Sequence, residues 1–319
     1  MPTALITGIT GQDGSYLAEL LLEKNYKVVG LVSSKYAIGN QNIDHIEEHL
    51  VLEDGDLLDK ASLERIFEKH KPDEVYNLAG ITFVPASWDK PTLTIDINTL
   101  GVSRLLEIIA QNYPKTRFFQ ASSSRMFGNA EQSPQTESTP FNPQEPYSVS
   151  KVAAHQLLKV MRDHFSIFAA TAIMYNHESE RRGPEFVTRK ITQTAAKIKL
   201  GLADTLELGN LDATQDWGYA PDYVEAMWLM LQQNSGDDYI LSSGEYHSVR
   251  DICQIAFEHL ELNYQDYVTT NPSFIRKEKS TAPLGDARKA QKVLNWHPKV
   301  SFKEMIIKMV DHDIKEQTS

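Results

Sequence analysis

A glycine-rich segment separates the first strand-like run of this chain from its first helical segment. The run Ala4-Leu5-Ile6 is short and apolar, whereas Tyr16 to Leu22 has the apolar spacing of a helix. Glycines at such a junction permit a tight turn, close approach of backbone N–H groups to a pyrophosphate, and close helix–strand packing. The segment therefore predicts a dinucleotide-binding βαβ unit. The predicted cofactor loop comprises Gly8, Thr10, Gly11, Gln12, Asp13 and Gly14.

Strand-like runs alternate with helical segments as far as about residue 175. Short strands separated by helices predict a parallel sheet covered on both faces. We therefore predict an α/β fold with a doubly wound, Rossmann-type sheet in residues 1–175 and a smaller C-terminal substrate-binding lobe in residues 176–319. Strands near residues 209–245 are expected to return to the sheet, and the segment around Gly209 has the look of a hairpin.

Composition excludes several functional classes. The chain has 32 Lys and Arg against 43 Asp and Glu, a net charge of −11 that disfavours nucleic acid as a partner. No apolar run is long enough to span a membrane. The lone Cys253 cannot form an internal disulfide, and the N-terminus lacks a basic-then-apolar leader, so we expect a cytoplasmic protein. We predict no metal site.

The end of the second strand bears on the choice between NAD and NADP. An acidic side chain there would bind the ribose 2′-hydroxyl of NAD and repel a 2′-phosphate. This chain has Ser33, Ser34 and Lys35 instead. Two hydroxyls and an ammonium can hold a phosphate, so we predict NADP, with NAD as the alternative.

The spacing TGxxGxxG from Thr7 to Gly14 resembles that of the extended short-chain dehydrogenase/reductase family. Features farther along the chain agree with this resemblance. It implies that Asp56 and Leu57 contact the adenine and that Leu78 and Ala79 line the cofactor groove. It also implies that Tyr147 and Lys151 bind the cofactor and supply the catalytic pair.

Tyr147 and Lys151 are one helical turn apart, which places both side chains on one helix face. A phenol has an ordinary pKa of about 10, and an adjacent ammonium favours the phenolate that a general base requires. Ser123, at the end of a predicted strand, can hold the same sugar hydroxyl. Outside this context, such a Tyr/Lys pair would be an ordinary contact on a helix surface.

Several longer segments resemble the GDP-mannose 4,6-dehydratases, and they are spread over nearly the whole length of the chain. The resemblance implies that Asn176, Lys190 and Arg276 hold the diphosphate of a nucleotide sugar, with GDP as the expected nucleotide. The matching segments are residues 8–19, 120–128, 176–179, 186–191, 208–212, 222–228 and 284–286.

The chain departs from those dehydratases at three places. Arg125 stands where the family has the glutamate that transfers a proton during loss of water, and a guanidinium stays protonated. Gln215 replaces an arginine that contacts the diphosphate, and Ser33 and Ser34 replace paired arginines that serve the NADP phosphate.

These departures leave the reaction open. We expect an enzyme that modifies a nucleotide-activated hexose, starting with hydride transfer at C4 as in the 4,6-dehydratases. Arg125, counted among the catalytic candidates, favours a 4-ketoreductase, C4-epimerase or 4-dehydrogenase as the alternative. A non-catalytic nucleotide-binding scaffold is a further alternative, disfavoured by the intact Ser123, Tyr147 and Lys151. We also expect a homodimer or homotetramer.

Overall fold

The computed structural model describes residues 1–34, 39, 41–274 and 283–318. The predicted site residues Lys35 and Arg276 lie outside the described residues. The strands are β1 Thr3–Thr7, β2 Lys27–Val32, β3 Val51–Asp54, β4 Glu74–Asn77, β5 Arg117–Ser123, β6 Ala169–Met174, β7 Asn176–Glu178, β8 Leu206–Leu208, β9 Thr214–Gln215, β10 Trp217–Tyr219, β11 Asp238–Leu241, β12 His247–Ser248 and β13 Val268–Thr270. The α-helices are α1 Gln12–Glu23, α2 Lys60–His70, α3 Val84–Asp89, α4 Pro91–Ile95, α5 Gly101–Asn112, α6 Pro146–Phe165, α7 Val187–Lys199, α8 Ala220–Leu231, α9 Val249–His259, α10 Arg288–Leu294 and α11 Phe302–Thr318.

Seven of the described strands form one parallel sheet in the order β11-β6-β5-β4-β1-β2-β3. The chain therefore winds outward from β1 in both directions, which confirms the predicted doubly wound α/β fold. In the register, Thr7 pairs with Asn77 and Asn77 with Gln120, so the carboxyl ends of the central strands meet at one edge. In such sheets, ligands bind outside that edge where the strand order reverses.

Helices cover both faces of the sheet because each presents an apolar stripe to it. One buried cluster joins α1, α8 and α10 to the sheet, with Leu17, Met227 and Ala290 among its members. A second cluster joins α2, α5 and α6 to the opposite face, with Phe67 and Leu105 among its members. The cofactor loop and the first turn of α6 are thus held on a rigid layered core.

A smaller lobe is built around α7, α9 and α11, whose buried apolar side chains form their own cluster. Short strands edge this lobe: β10 pairs with β7, β12 with β9, and β13 with β8. The expected hairpin near Gly209 is wrong, because β8 pairs in parallel with the distant β13 rather than with its neighbour in sequence. Of the later strands, β11 lies in the central sheet beside β6.

Two helices differ from their expected bounds for local reasons. The apolar spacing is regular only from about Val152, but α6 starts at Pro146 and includes Tyr147 and Lys151, as their predicted helical spacing requires; Glu145 and Ser148 form a reciprocal capping box at its start. The helical segment ahead of α5 contains a π-helical turn, Asp96–Leu100, and π turns of this kind often occur at functional sites.

No helix in the described ranges is long and apolar enough to cross a membrane.

Candidate active site

The glycine loop is shaped by three different constraints. Gly8 has φ +71°, and a Cβ there would lie 2.9 Å from the backbone nitrogen of Ala79. A Cβ on Gly14 would lie 2.2 Å from the carbonyl oxygen of Gly8, so α1 packs directly on the loop. Gly11 precedes α1 in an extended conformation, and a Cβ there would approach only the Gly8 oxygen, at 3.3 Å. The glycine loop and the first free N–H groups of α1 therefore form a backbone surface that can bind a pyrophosphate.

Thr7 ties the next strand to this loop. Its hydroxyl donates to Oδ1 of Asn77 at 2.7 Å and accepts the backbone N–H groups of Leu78 and Ala79 at 3.1 and 3.0 Å. Asn77 in turn donates to Gln120 at 2.8 Å. The structure thus places Leu78 and Ala79 beside the glycine loop.

The side chains of Gln12 and Asp13 contact the segment that follows β6. Gln12 donates to the carbonyl oxygen of His177 at 3.1 Å and accepts from the Ser179 hydroxyl at 2.8 Å. Asp13 lies 2.9 Å from Nε2 of His177, whose ring stacks on Tyr223. Burial alone would raise the pKa of Asp13, but the charge and hydrogen bond of His177 lower it below the ordinary value. Both predicted loop residues therefore use their side chains to join the glycine loop to the smaller lobe.

The remaining predicted cofactor residues lie along the same sheet edge. The Thr10 carbonyl accepts a hydrogen bond from Asn42 at 2.9 Å. The backbone N–H of Ser34, which follows Ser33, donates to the Asp54 carboxylate at 3.1 Å. Asp56 accepts the N–H of Leu58 at 2.9 Å, which fixes the turn after β3. Leu57 is buried, and its carbonyl accepts from Arg104 at 3.0 Å.

Ser123, Tyr147 and Lys151 meet where β5 ends and α6 begins. Tyr147 and Lys151 are buried, and Lys151 donates to the Ala121 carbonyl at 2.9 Å. Burial raises the pKa of Tyr147, whereas a hydrogen bond with Ser123 and then the charge of Arg125 oppose the rise. Burial lowers the pKa of Lys151 to about 8. The arrangement brings together a phenol, a hydroxyl and an ammonium, as proton transfer at a sugar hydroxyl requires.

Three cations lie near the Tyr147 phenol. The predicted one is Lys151, whose Nζ lies 5.8 Å from the Tyr147 ring centroid. The charges of Arg125 and Arg182 oppose the rise in the Tyr147 pKa that burial causes. Arg182 is fixed by Glu178, 3.1 Å from its Nε, and by the Phe186 ring, 3.5 Å from its Cζ. Sequence reasoning missed Arg182, which lies in an ordinary-looking charged run.

Asn98 is a second residue that sequence reasoning did not include in the site. It lies in the π-helical turn, accepts the N–H of Ile81 at 2.9 Å and donates to the Ser150 hydroxyl at 3.1 Å. A Cβ on Gly80 would lie 2.8 Å from its Oδ1 and 3.9 Å from Nζ of Lys151. Asn98 therefore holds the loop after β4 against α6.

Arg125 lies beside these groups and has an ionic partner. Its backbone N–H donates to the Ser123 hydroxyl oxygen at 3.2 Å, and its guanidinium lies 3.9 Å from the carboxylate of Glu145. The Arg125 side chain is 29% exposed and that of Glu145 only 3%, so the carboxylate lies on the protein side of the pair. The pairing is what a partly buried cation requires.

Three of the four predicted substrate residues are described. Asn176 donates to Oε1 of Gln215 at 3.5 Å, so these two side chains are adjacent. The Lys190 ammonium donates to the Glu207 carbonyl at 2.8 Å and lies 4.8 Å above the Phe274 ring. Arg276 falls outside the described residues. Within the described part of the chain, no group of three or more His, Cys, Asp or Glu residues could hold a metal ion.

The chain is similar in sequence and in fold to proteins of known activity. Residues 5–309 match the family profile described as GDP-mannose 4,6 dehydratase. The chain is 46% identical to GDP-mannose 4,6 dehydratase 2 of Arabidopsis thaliana, covering 98% of this chain and 87% of the relative. It is 40% identical to the human GDP-mannose 4,6 dehydratase, covering 98% and 91%. UDP-glucose 4-epimerase of Thermus thermophilus, solved with NAD, superposes with a TM-score of 0.85 at 26% identity, covering 98% of each chain.

Proposed function

Because the chain belongs to the GDP-mannose 4,6-dehydratase family, we propose that it is an NADP-dependent enzyme that modifies a GDP-linked hexose. Its reaction begins with hydride transfer at C4 of the hexose, the opening step of a 4,6-dehydration. The observation that carries this proposal is the convergence of Ser123, Tyr147 and Lys151 at the sheet edge that holds the glycine loop.

The glycine loop can hold a dinucleotide, because it precedes the N-terminus of α1 and a Cβ on Gly11 would approach only the Gly8 oxygen, at 3.3 Å. Bound NADP⁺ supplies the hydride acceptor. The Ser123 hydroxyl orients the C4 hydroxyl of the sugar, and the phenolate of Tyr147 takes its proton. Lys151, fixed by the Ala121 carbonyl, places a positive charge near the phenolate and a donor at the cofactor groove.

The smaller lobe provides the binding groups for the rest of the substrate. Asn176 and Gln215 are adjacent, and Lys190 is held on the same lobe. We assign these three side chains, with Arg276, to the substrate diphosphate. Neutral Gln215 contributes a hydrogen bond without a charge, so Lys190 and Arg276 are the two cations of this set.

A second candidate function rests on Arg125. Elimination of water requires a further acid or base, and the guanidinium beside Ser123 cannot accept a proton. Hydride exchange at C4 needs no such group. C4 ketoreduction, C4 epimerisation or 4-dehydrogenation of a GDP-sugar therefore fits the described side chains, with 4,6-dehydration as the family's activity.

The cofactor proposal is NADP, with NAD as the alternative. The backbone after β2 carries Ser33 and Ser34, and no acidic side chain occupies these two positions. Their hydroxyls, with the ammonium of Lys35, can donate hydrogen bonds to a ribose 2′-phosphate.

We also propose that the chain forms a homodimer or homotetramer and is located in the cytoplasm. Trp88, Leu100 and Val149 are 57%, 46% and 43% exposed and border a cavity of about 700 Å³ on the face of α6. Such an apolar patch supports a homodimer or homotetramer. Sedimentation of the purified chain tests this, and a monomer at micromolar concentration would contradict it. The single buried Cys253 agrees with the cytoplasmic location that the sequence predicts.

Incubation of the purified protein with GDP-mannose and either NADP⁺ or NAD⁺ tests the proposed reaction. Mass spectrometry then measures loss of water from the sugar, and nicotinamide absorbance measures hydride transfer. We expect hydride transfer with NADP⁺. A protein that binds the dinucleotide but shows no loss of water, no sugar-dependent change in absorbance and no change of configuration at C4 of the recovered sugar would instead be a nucleotide-binding scaffold.

A further inference from the structure

Arg125 lies near Ser123 and Tyr147, the groups proposed to react with the sugar. Arg125 follows the end of β5 by two residues, and its backbone N–H binds the Ser123 hydroxyl at 3.2 Å. Its charge acts on the Tyr147 phenol, opposing the rise in pKa that burial causes. With 29% of the side chain exposed, the guanidinium borders open space.

Most hydrogen-bond donors of this guanidinium are unused within the described part of the chain. Its one ionic contact there, to Oε1 of Glu145, spans 3.9 Å, beyond the length of a direct N–H···O bond. A guanidinium carries five N–H donors in a planar fork that matches a carboxylate. Arg125 thus keeps a fork available on its exposed side.

Glu145 holds the cation from its buried side. The Glu145 side chain is 3% exposed, and its carboxylate takes part in the capping box of α6 together with Ser148. This carboxylate is fixed by the helix terminus, so it orients the guanidinium without enclosing it. The pair has the form of an anion receptor with one open side.

On the basis of the function proposed above, we propose that Arg125 recognises a carboxylate at C6 of the hexose, so that the preferred substrate is a GDP-linked hexuronate. C6 is attached to C5, which adjoins the reacting C4. The diphosphate is attached to C1, across the ring from C4. The Arg125 charge acts on the Tyr147 phenol, which reacts with the C4 hydroxyl. Arg125 is therefore placed to bind a carboxylate at C6 and lies away from the diphosphate.

The carboxylate takes no part in the bond changes. The C4–H bond breaks and its electron pair leaves as hydride to NADP⁺, while the C4 hydroxyl proton passes to the Tyr147 phenolate. The product is a 4-keto hexuronate and NADPH. Return of the hydride to either face of C4, with the phenol giving back its proton, restores NADP⁺.

Calorimetry with GDP-mannose, GDP-mannuronate and GDP tests the proposal on the NADP⁺-loaded protein. A charge-assisted bidentate contact should make GDP-mannuronate bind roughly 10- to 100-fold more tightly than GDP-mannose. In Arg125→Gln this ratio should fall to about 1, and in Arg125→Lys it should fall only partly. Lys303→Gln removes a cation from the exposed face of α11 and should keep the native ratio.

The two failures are distinguishable. Equal binding of both sugars to the native protein, or an equal loss of GDP, GDP-mannose and GDP-mannuronate in Arg125→Gln, overturns the carboxylate assignment. The second of these results would place Arg125 at the diphosphate. Absence of hydride transfer from either sugar contradicts the proposed function alone, because the calorimetric ratio does not depend on turnover.

Discussion

Tyr147 is the residue on which the proposed chemistry depends most. It is buried in the first turn of α6, and the Ser123 side chain opposes the rise in its pKa that burial causes. We expect Tyr147→Phe to lower turnover by at least about 10²- to 10⁴-fold, the contribution of a general acid or base. Dinucleotide affinity should change little, because the glycine loop is untouched. Stopped-flow kinetics and cofactor titration measure the two effects, and substantial residual turnover would remove Tyr147 from the catalytic assignment.

Arg125 separates the dehydratase from the other C4 reactions. Native protein should dehydrate GDP-mannose about 10²- to 10⁴-fold more slowly than an ordinary enzyme turns over, because it lacks the further acid or base. Arg125→Glu restores a carboxylate but places it near Glu145, which is 3.9 Å from the present guanidinium. We therefore expect the largest gain in water loss from Arg125→Glu combined with Glu145→Gln.

Mass spectrometry of the GDP-mannose product measures that gain, with Glu145→Gln alone as the control. Native dehydration at about 1–10³ per second would refute the argument and show that another group transfers the proton. No gain in either Arg125→Glu variant would favour a reaction outside the dehydratase class.

Lys151 gives the folded protein a specific pH dependence. Its pKa is about 8 when folded, against an ordinary 10.5, because burial penalises the ammonium. Between these values the unfolded chain binds more protons, so the free energy of unfolding rises with pH. This contribution amounts to about 3 kcal/mol over the full window. Urea unfolding of the cofactor-free protein from pH 8 to 10.5 should show the free energy of unfolding of the native protein increasing relative to that of Lys151→Met; parallel curves would contradict it.

The sequence identifies Ser123, Tyr147 and Lys151 as candidates because their order and spacing have a chemical reason. It does not identify Asn98 or Arg182. Asn98 acts through a π-helical turn, which has no recognisable apolar period, and Arg182 depends on contacts with Glu178 and Phe186 that form only in the folded chain.

At the scale of elements, the junction between β1 and α1 is the feature most open to a direct test. Gly11 has φ −76° and ψ 175°, a conformation that any residue adopts. Gly11→Val should therefore keep the fold, at a cost of about 1 kcal/mol. Its side chain would occupy the path of the pyrophosphate, so we expect at least a tenfold loss of dinucleotide affinity.

Gly14→Ala provides the contrast for that experiment. Its Cβ would lie 2.2 Å from the Gly8 carbonyl oxygen, so both stability and binding should fall. Calorimetry and thermal unfolding of the two variants separate a binding role from a packing role. Unchanged dinucleotide affinity in a folded Gly11→Val protein would show that the loop does not hold the cofactor.

Element bounds were predictable where apolar spacing was strong. The run of small and apolar residues from Ala169 to Met174 predicts a strand, and β6 has these limits because all its residues are buried. The start of α6 was not predictable from spacing, since Pro146, Glu145 and Ser148 set it through capping. The pairing of β8 with β13 was also hidden, because three-residue strands carry no period.

At the scale of the molecule, the site joins a layered sheet to a smaller lobe. Asp13 and His177 form one connection, and Arg181 forms another through Ser15 and Glu19 of α1. The glycine loop and α1 are therefore fixed against the segment that carries the proposed substrate residue Asn176. Such long-range contacts follow from the fold and have no signature in the local sequence.

Transfer of an isotopic label from C4 of the sugar to the cofactor directly tests the proposed hydride transfer at this site. GDP-mannose and GDP-mannuronate carrying deuterium at C4 are each mixed with the NADP⁺-loaded protein in a single turnover, and the cofactor is analysed by mass spectrometry. We expect deuterium in the reduced cofactor for the native protein and for Lys303→Gln, and none for Tyr147→Phe. Absence of deuterium from the reduced cofactor in samples quenched throughout the turnover, or equal transfer in Tyr147→Phe, would contradict hydride transfer at C4 by this site.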